Sequence, residues 1–175
     1  MRVARREVLG LWGGFAAVLS LSRQDVCAEE VVEIRMQGRA DGSHVWFDPI
    51  GLLIKPGQMV RWTNFNPGNS HTTTAYHPAN FGRPRRIPES AKSWDSGYLL
   101  PAESFSLTFT EQGVYDYYCI PHEQAGMVGR IIVGEPEAHD GWMEAVAASR
   151  DLPDEALRAF PTVEEIMAKR IVRRV

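Results

Sequence analysis

The sequence predicts an all-β fold, a Greek-key antiparallel β-sandwich with a small α-helical C-terminal extension. Three observations predict it. Short runs of β-branched and aromatic residues recur from residue 31 to residue 133, separated by Gly/Pro turns. Beyond about residue 134 the pattern changes to apolar positions at helical spacing. At 175 residues with 44% apolar content, the chain has room for one globular domain plus small extras.

Residues 1–28 read as an export leader. Arg2, Arg5 and Arg6 precede an apolar stretch over 8–21, and small residues end at Ala28. The apolar stretch is short for a membrane span. Arg5-Arg6-Glu-Val-Leu9 resembles a twin-arginine signal, the route taken by folded proteins. Ordinary secretion of an unfolded chain, an uncleaved anchor, and lipidation at Cys27 are the alternatives. The leader carries Arg2, Arg5, Arg6 and Arg23 against Glu7 and Asp25. Of 19 basic and 22 acidic residues, 15 and 20 therefore remain, a net charge of −5. Nothing in that balance suggests a nucleic-acid partner. Of the two cysteines, Cys27 falls in the leader, so no disulfide is expected if Cys119 binds a metal.

The domain is expected over 29–134. Strands are predicted at 31–36, 45–47, 52–54 and 59–63, with a turn at Lys55-Pro-Gly-Gln58. Asn66-Pro-Gly-Asn-Ser70 is a loop delivering His71, and 72–76 is extended. Residues 104–110 alternate, with Phe105, Leu107 and Phe109 turned inward; strands at 114–118 and 128–133 follow. Trp62 and Trp94 are assigned to the core. Arg83-Pro-Arg-Arg86 reads as solvated loop charge, with docking of an acidic partner as the alternative. In the extension, 135–175, one helix is predicted at 140–148. A second is opened by Pro153 and capped by Asp151. A third starts at the capping box Thr162-Val-Glu-Glu165, with Val163, Ile166, Met167 and Arg170 on one face. Packing against the sandwich is its expected role, and a membrane-binding or partner helix is the alternative.

The chemistry is concentrated in Cys119-Ile-Pro-His122-Glu-Gln-Ala-Gly-Met127. A Cys-x2-His-x4-Met spacing between two strands lets one short loop aim three side chains at one point. Pro121 stiffens that loop and Gly126 lets it fold back. His71 must come from elsewhere in the fold. A thiolate, two imidazoles and a thioether make a soft trigonal set with a weak axial sulfur, the pattern of a mononuclear blue-copper electron-transfer centre. The binuclear Cys-x3-Cys and multicopper His-Cys-His patterns do not occur. His44, His77 and His139 are read as ordinary surface histidines.

From about residue 31 to 133 the chain resembles the small type-1 copper proteins, the cupredoxins, specifically plastocyanin, pseudoazurin and the halocyanins. The markers are Phe47-Asp-Pro49, Leu53-Ile-Lys-Pro-Gly57, Val60-Arg-Trp-Thr-Asn64, Ser70-His71-Thr72, Gly113-Val-Tyr-Asp-Tyr-Tyr-Cys119, and Pro121-His122 through Met127-Val-Gly129. The resemblance implies copper ligands His71, Cys119, His122 and Met127, one-electron transfer, and larger redox partners docking near His122. It implies an apolar surface there, formed by Pro121, Ala125, Gly126 and Met127, and an extension packed on the sandwich as in pseudoazurin. Ile120 stands where many relatives carry Ser or Thr, so that position offers no side chain to tie the two ligand loops. Four protein ligands leave no open position for a substrate, so no enzyme is expected. A copper-delivery protein is the alternative, but no Met- or His-rich tract supports it.

Overall fold

The computed structural model describes residues 31–39, 41, 44–135 and 151–174. The expected leader with Cys27, the helix at 140–148 and His139 lie outside the described residues.

Two sheets face each other. The first has the order β2-β1-β4-β6, from β1 (Val32–Gly38), β2 (Val45–Asp48), β4 (Met59–Asn64) and β6 (Ser104–Thr108). The second has the order β5-β7-β8-β3-β9, from β3 (Gly51–Ile54), β5 (Thr74–Ala75), β7 (Gly113–Tyr118), β8 (Val128–Val133) and β9 (Ile171–Val172). The all-β sandwich with its helical extension is as the sequence predicts. Two neighbouring pairs, β1 with β4 and β3 with β8, run parallel. From β1 the chain passes through β2 and over to β3 in the other sheet before returning as β4, and from β3 it crosses between the sheets before returning through β7 to β8. Such connections permit parallel pairing where a hairpin forces antiparallel.

Between the sheets lies a core of Ile34, Met36, Phe47, Val60, Trp62, Leu52, Ile54, Trp94, Phe109, Tyr115, Tyr117, Cys119, Met127, Ile131 and Val133. Trp62 is its centre, with ring centroids 5.5 Å from Tyr117 and 6.1 Å from Trp94. Both tryptophans are core residues, as predicted. Every residue of β7 and β8 is buried, without the alternation of a one-faced strand. The reason is the extension, which covers the outer face of their sheet.

The extension contains α1 (Asp154–Ala159) and α2 (Val163–Lys169). Ile166 and Val172 pack with Ile50, Val114 and Ile132. Leu152 and Ala156 pack with Tyr76, Tyr118 and Val128. Thr162 caps α2 as the sequence predicts, its Oγ1 accepting the Glu165 N–H at 3.1 Å. Asp151 does not cap α1: Pro153 is the N-cap, with no side-chain bond. The helical pattern also stops sooner than its charges suggest. Arg170 turns to φ 64° after Lys169, and Ile171–Val172 form β9 on the edge of β3. No helix among the described residues is long and apolar enough to cross a membrane.

Candidate metal centre

β7 delivers Cys119 in extended conformation, φ −98° and ψ 119°, to a 3-10 turn over Ile120–Ala125. Pro121 sits in the first turn, where its missing N–H costs nothing. Gly126 ends the turn at φ 74°, a conformation side chains resist. Three backbone bonds then lock the loop. The His122 N–H donates to the Cys119 carbonyl (3.0 Å), the Met127 N–H to the His122 carbonyl (3.1 Å), and the Cys119 N–H to the Met127 carbonyl (3.0 Å). His71 arrives from a separate loop, clipped to Leu99 by two backbone bonds of 3.1 and 2.8 Å. Buried Asn64 shapes that loop. Its amide donates to the carbonyls of Asn69 and Leu99 (2.8 and 2.9 Å), and its Oδ1 accepts the Asn66 N–H (2.8 Å).

The fold brings His71, Cys119 and His122 together. Cys119 Sγ lies 3.6 Å from His71 Nδ1 and 3.4 Å from His122 Nδ1, and the three donor atoms all fall within 4.8 Å of one another. Imidazole and thiolate donors about 2.1 Å from a common ion in a trigonal plane stand about 3.6 Å apart, so the spacing fits one shared metal. His71, Cys119 and Met127 are fully buried, and His122 is half-buried. Met127 is tied to the loop by two backbone bonds and packs in the same core cluster as Cys119. His44 stacks on Trp46, and His77 Nδ1 accepts the N–H of Ala79. Among the described residues, no other group of His, Cys, Asp or Glu is gathered at metal-binding distance.

Burial sets the charge state. It lowers His71 to about 4, assisted by neighbouring His122, and it lowers His122 as well. It pushes the Cys119 thiol up to about 12, opposed by hydrogen bonds from the Thr72 and His122 backbones. Without a cation the site is therefore a neutral thiol with two neutral imidazoles. A soft cation displaces the thiol proton and meets neutral nitrogen ligands.

The two ligand loops are tied, but not from position 120's side chain. Thr72, beside His71, donates its N–H to Cys119 Sγ at 3.3 Å, and its Oγ1 accepts the Ile120 N–H at 2.9 Å. The residue after the cysteine contributes only its backbone, so an apolar side chain there breaks nothing. The arginine cluster is corrected too. Arg83 pairs with buried Glu123, and Arg86 is 4% exposed and pairs with Asp116 at 2.7 Å. Neither is free loop charge; Arg85 is the exposed arginine of the three. The expected apolar surface shrinks likewise. Pro121 and Ala125 are exposed, whereas Gly126 and Met127 are buried. A Cβ on Gly126 would lie 3.0 Å from the Glu155 carbonyl, because α1 packs on the ligand loop there.

The profile of the family described as copper binding proteins, plastocyanin/azurin family, matches residues 34–134. The chain is 39% identical to the chloroplastic plastocyanin of Chlamydomonas reinhardtii over 133 residues, covering 76% of this chain and 86% of that one. It is 38% identical over 94 residues to the chloroplastic plastocyanin of Tetradesmus obliquus, covering 54% of this chain and 62% of that one. Among solved structures, the Sinorhizobium pseudoazurin superposes with a TM-score of 0.54 at 28% identity, over 79% of this chain and 96% of that chain. With a profile spanning more than half the chain and a sandwich that gathers soft donors at one end, the chain belongs to the plastocyanin/azurin family of copper-binding cupredoxins.

Proposed function

We propose that this protein is an exported one-electron carrier, with a single type-1 copper held by His71, Cys119, His122 and Met127. The observation that carries the reading is the group of soft donors, spaced for one ion, with hydrogen bonds tying together the loops that carry them. Copper supplies the Cu(I)/Cu(II) couple there. The chain's own residues hold the donors in a compromise geometry, so little needs to rearrange when charge changes. Burial of Cys119 and His71 keeps water from the sulfur, and His122 is the one imidazole with an edge toward solvent. That edge, with Pro121 and Ala125 around it, is the proposed port for larger redox partners. Four protein ligands leave no position for substrate, so the protein is a carrier rather than an enzyme.

Residues 1–28 serve in this reading as a twin-arginine leader, and the carrier works outside the cytoplasm, in a periplasmic or equivalent compartment. The net charge of −5 beyond the leader gives no reason to expect nucleic acid, and the buried apolar residues of α1 and α2 are taken up by the sandwich rather than left for a membrane surface. A delivery protein on the same fold would need an exchangeable ion, which a fully buried cysteine and histidine oppose. The test is a visible spectrum of the purified protein after adding Cu(II) and then ascorbate. An intense thiolate-to-copper band that bleaches on reduction and returns on oxidation is expected. A folded protein without that band would falsify the reading.

A further inference from the structure

Beyond the ligand loops, a line of hydroxyls runs from the centre to the surface. Thr72 Oγ1, which accepts the Ile120 N–H, lies 2.9 Å from Thr74 Oγ1. Thr74 Oγ1 lies 2.9 Å from Asp95 Oδ1. Thr72 and Thr74 are fully buried, whereas Asp95 is exposed. The carboxylate is itself held in place. The Gly97 N–H donates to the same Oδ1 at 3.2 Å, and its segment pairs with Thr74 through the Ala75 N–H to the Trp94 carbonyl (3.0 Å) and the Ser96 N–H to the Thr73 carbonyl (3.1 Å).

The donor inventory fixes the direction of this line. An ionised carboxylate only accepts, so the Thr74 hydroxyl must give its proton to Asp95. Thr74 oxygen can then only accept from Thr72. Thr72 has spent its one proton and must present a lone pair to the Ile120 N–H. One surface carboxylate thereby orients two buried hydroxyls and holds Thr72 in the position from which its own N–H reaches Cys119 Sγ. Chains of this kind polarise their members in one sense.

We propose that Asp95 is a remote positioning residue for the metal centre, acting on Cys119 through Thr74 and Thr72. The effect on copper rests on Cys119 being a ligand, as proposed above; the hydrogen-bond order itself does not.

The test uses the full chain in two states. In the metal-free protein, the amide protons of Ile120 and Thr72 are followed by NMR in Thr74→Val, Thr74→Ser, Asp95→Ala and the double variant Thr74→Val with Asp95→Ala; Asn is avoided at 95 because its Oδ1 would still accept from Thr74. In the copper-loaded protein, the reduction potential of each is measured. Thr74→Val and Asp95→Ala should both move the Ile120 amide proton upfield and shift the potential in the same direction, and Thr74→Ser should restore both. Asp95→Ala should add nothing once Thr74 is Val, because the route is already cut. Unchanged amide shifts in Asp95→Ala overturn the proposal. So does a potential shift of equal size with and without Thr74, which marks a plain surface-charge effect. If the unsubstituted chain shows no charge-transfer band, the electron-carrier reading falls while the amide shifts still decide the order of the line.

Discussion

The hydroxyl of Tyr76 donates to Glu123 Oε1 at 2.9 Å, and Glu123, the residue after His122, is only 2% exposed. Arg83 holds the other carboxylate oxygen and lies over the Tyr118 ring. The loop carrying His122 is therefore anchored from below by a buried acid that has both oxygens satisfied. Tyr76→Phe leaves one lone pair buried without its donor, at a cost of about 1–3 kcal/mol. Urea unfolding of the metal-free protein measures it, and an unchanged midpoint with an unchanged slope would show that the anchor contributes nothing.

The proposed ligand roles separate by chemistry. Cys119→Ser should abolish the charge-transfer band, since the band belongs to the thiolate. On the proposed ligand set, Met127→Leu should keep copper and raise the potential, because a soft, weak donor would be lost while Cys119, His71 and His122 would still hold the ion. Spectroscopy on the first and voltammetry on the second check these. Retained colour in the former, or an unmoved potential in the latter, refutes the corresponding role.

His71 gives the metal-free protein a pH dependence of known sign. Its folded value near 4 lies below the ordinary 6.5 because burial penalises the charged ring. The unfolded chain therefore binds more protons across that window. Stability is fully present above about pH 6.5, is lost as the pH falls toward 4, and levels off for this group below that. Allowing for solvent screening, the loss should be on the order of 2 kcal/mol. Denaturant midpoints at pH 7 and pH 4.5 measure it, and His71→Asn should shrink the difference, leaving the part due to His122.

Asp116 is completely buried between two cations. Arg86 and Arg130 pair with it at 2.7 Å each, and both guanidinium groups lie about 5 Å from the Phe160 ring of the extension. Arg130 also donates to the Pro161 carbonyl at 2.8 Å. Asp116→Asn leaves buried positive charge uncompensated and should cost about 3–5 kcal/mol. Phe160→Leu keeps the ion pairs and should cost less. Calorimetry on both variants ranks them, and the reverse order would mean that the ring, not the carboxylate, holds this junction.

The strands and the ligand loop were legible because their signals are local. Alternation marks β1, β4 and β6, and Cys119, His122 and Met127 sit within one run of nine residues. What escaped is long-range. Ile171–Val172 is too short to carry a period, and basic residues on both sides imitate a helix end. Arg86 and Asp116 stand thirty positions apart, so no spacing announces that a loop arginine turns inward. In the sequence Thr72 reads as part of the histidine marker, but its tie to Ile120 spans 48 positions. Asn64, at a strand end before Asn-Pro-Gly, did carry a readable turn signal.

The pairing of Leu52 with Ile171 joins residues about 120 positions apart, the kind of contact that slows folding. Until residues 171–172 have been synthesised, β3 keeps one row of backbone donors and acceptors open along its border. A nascent chain at that stage is a template for pairing with a neighbour. The short strand β9 thus acts as a late closure: the molecule hides its own sticky border only once residues 171–172 have taken their place beside β3.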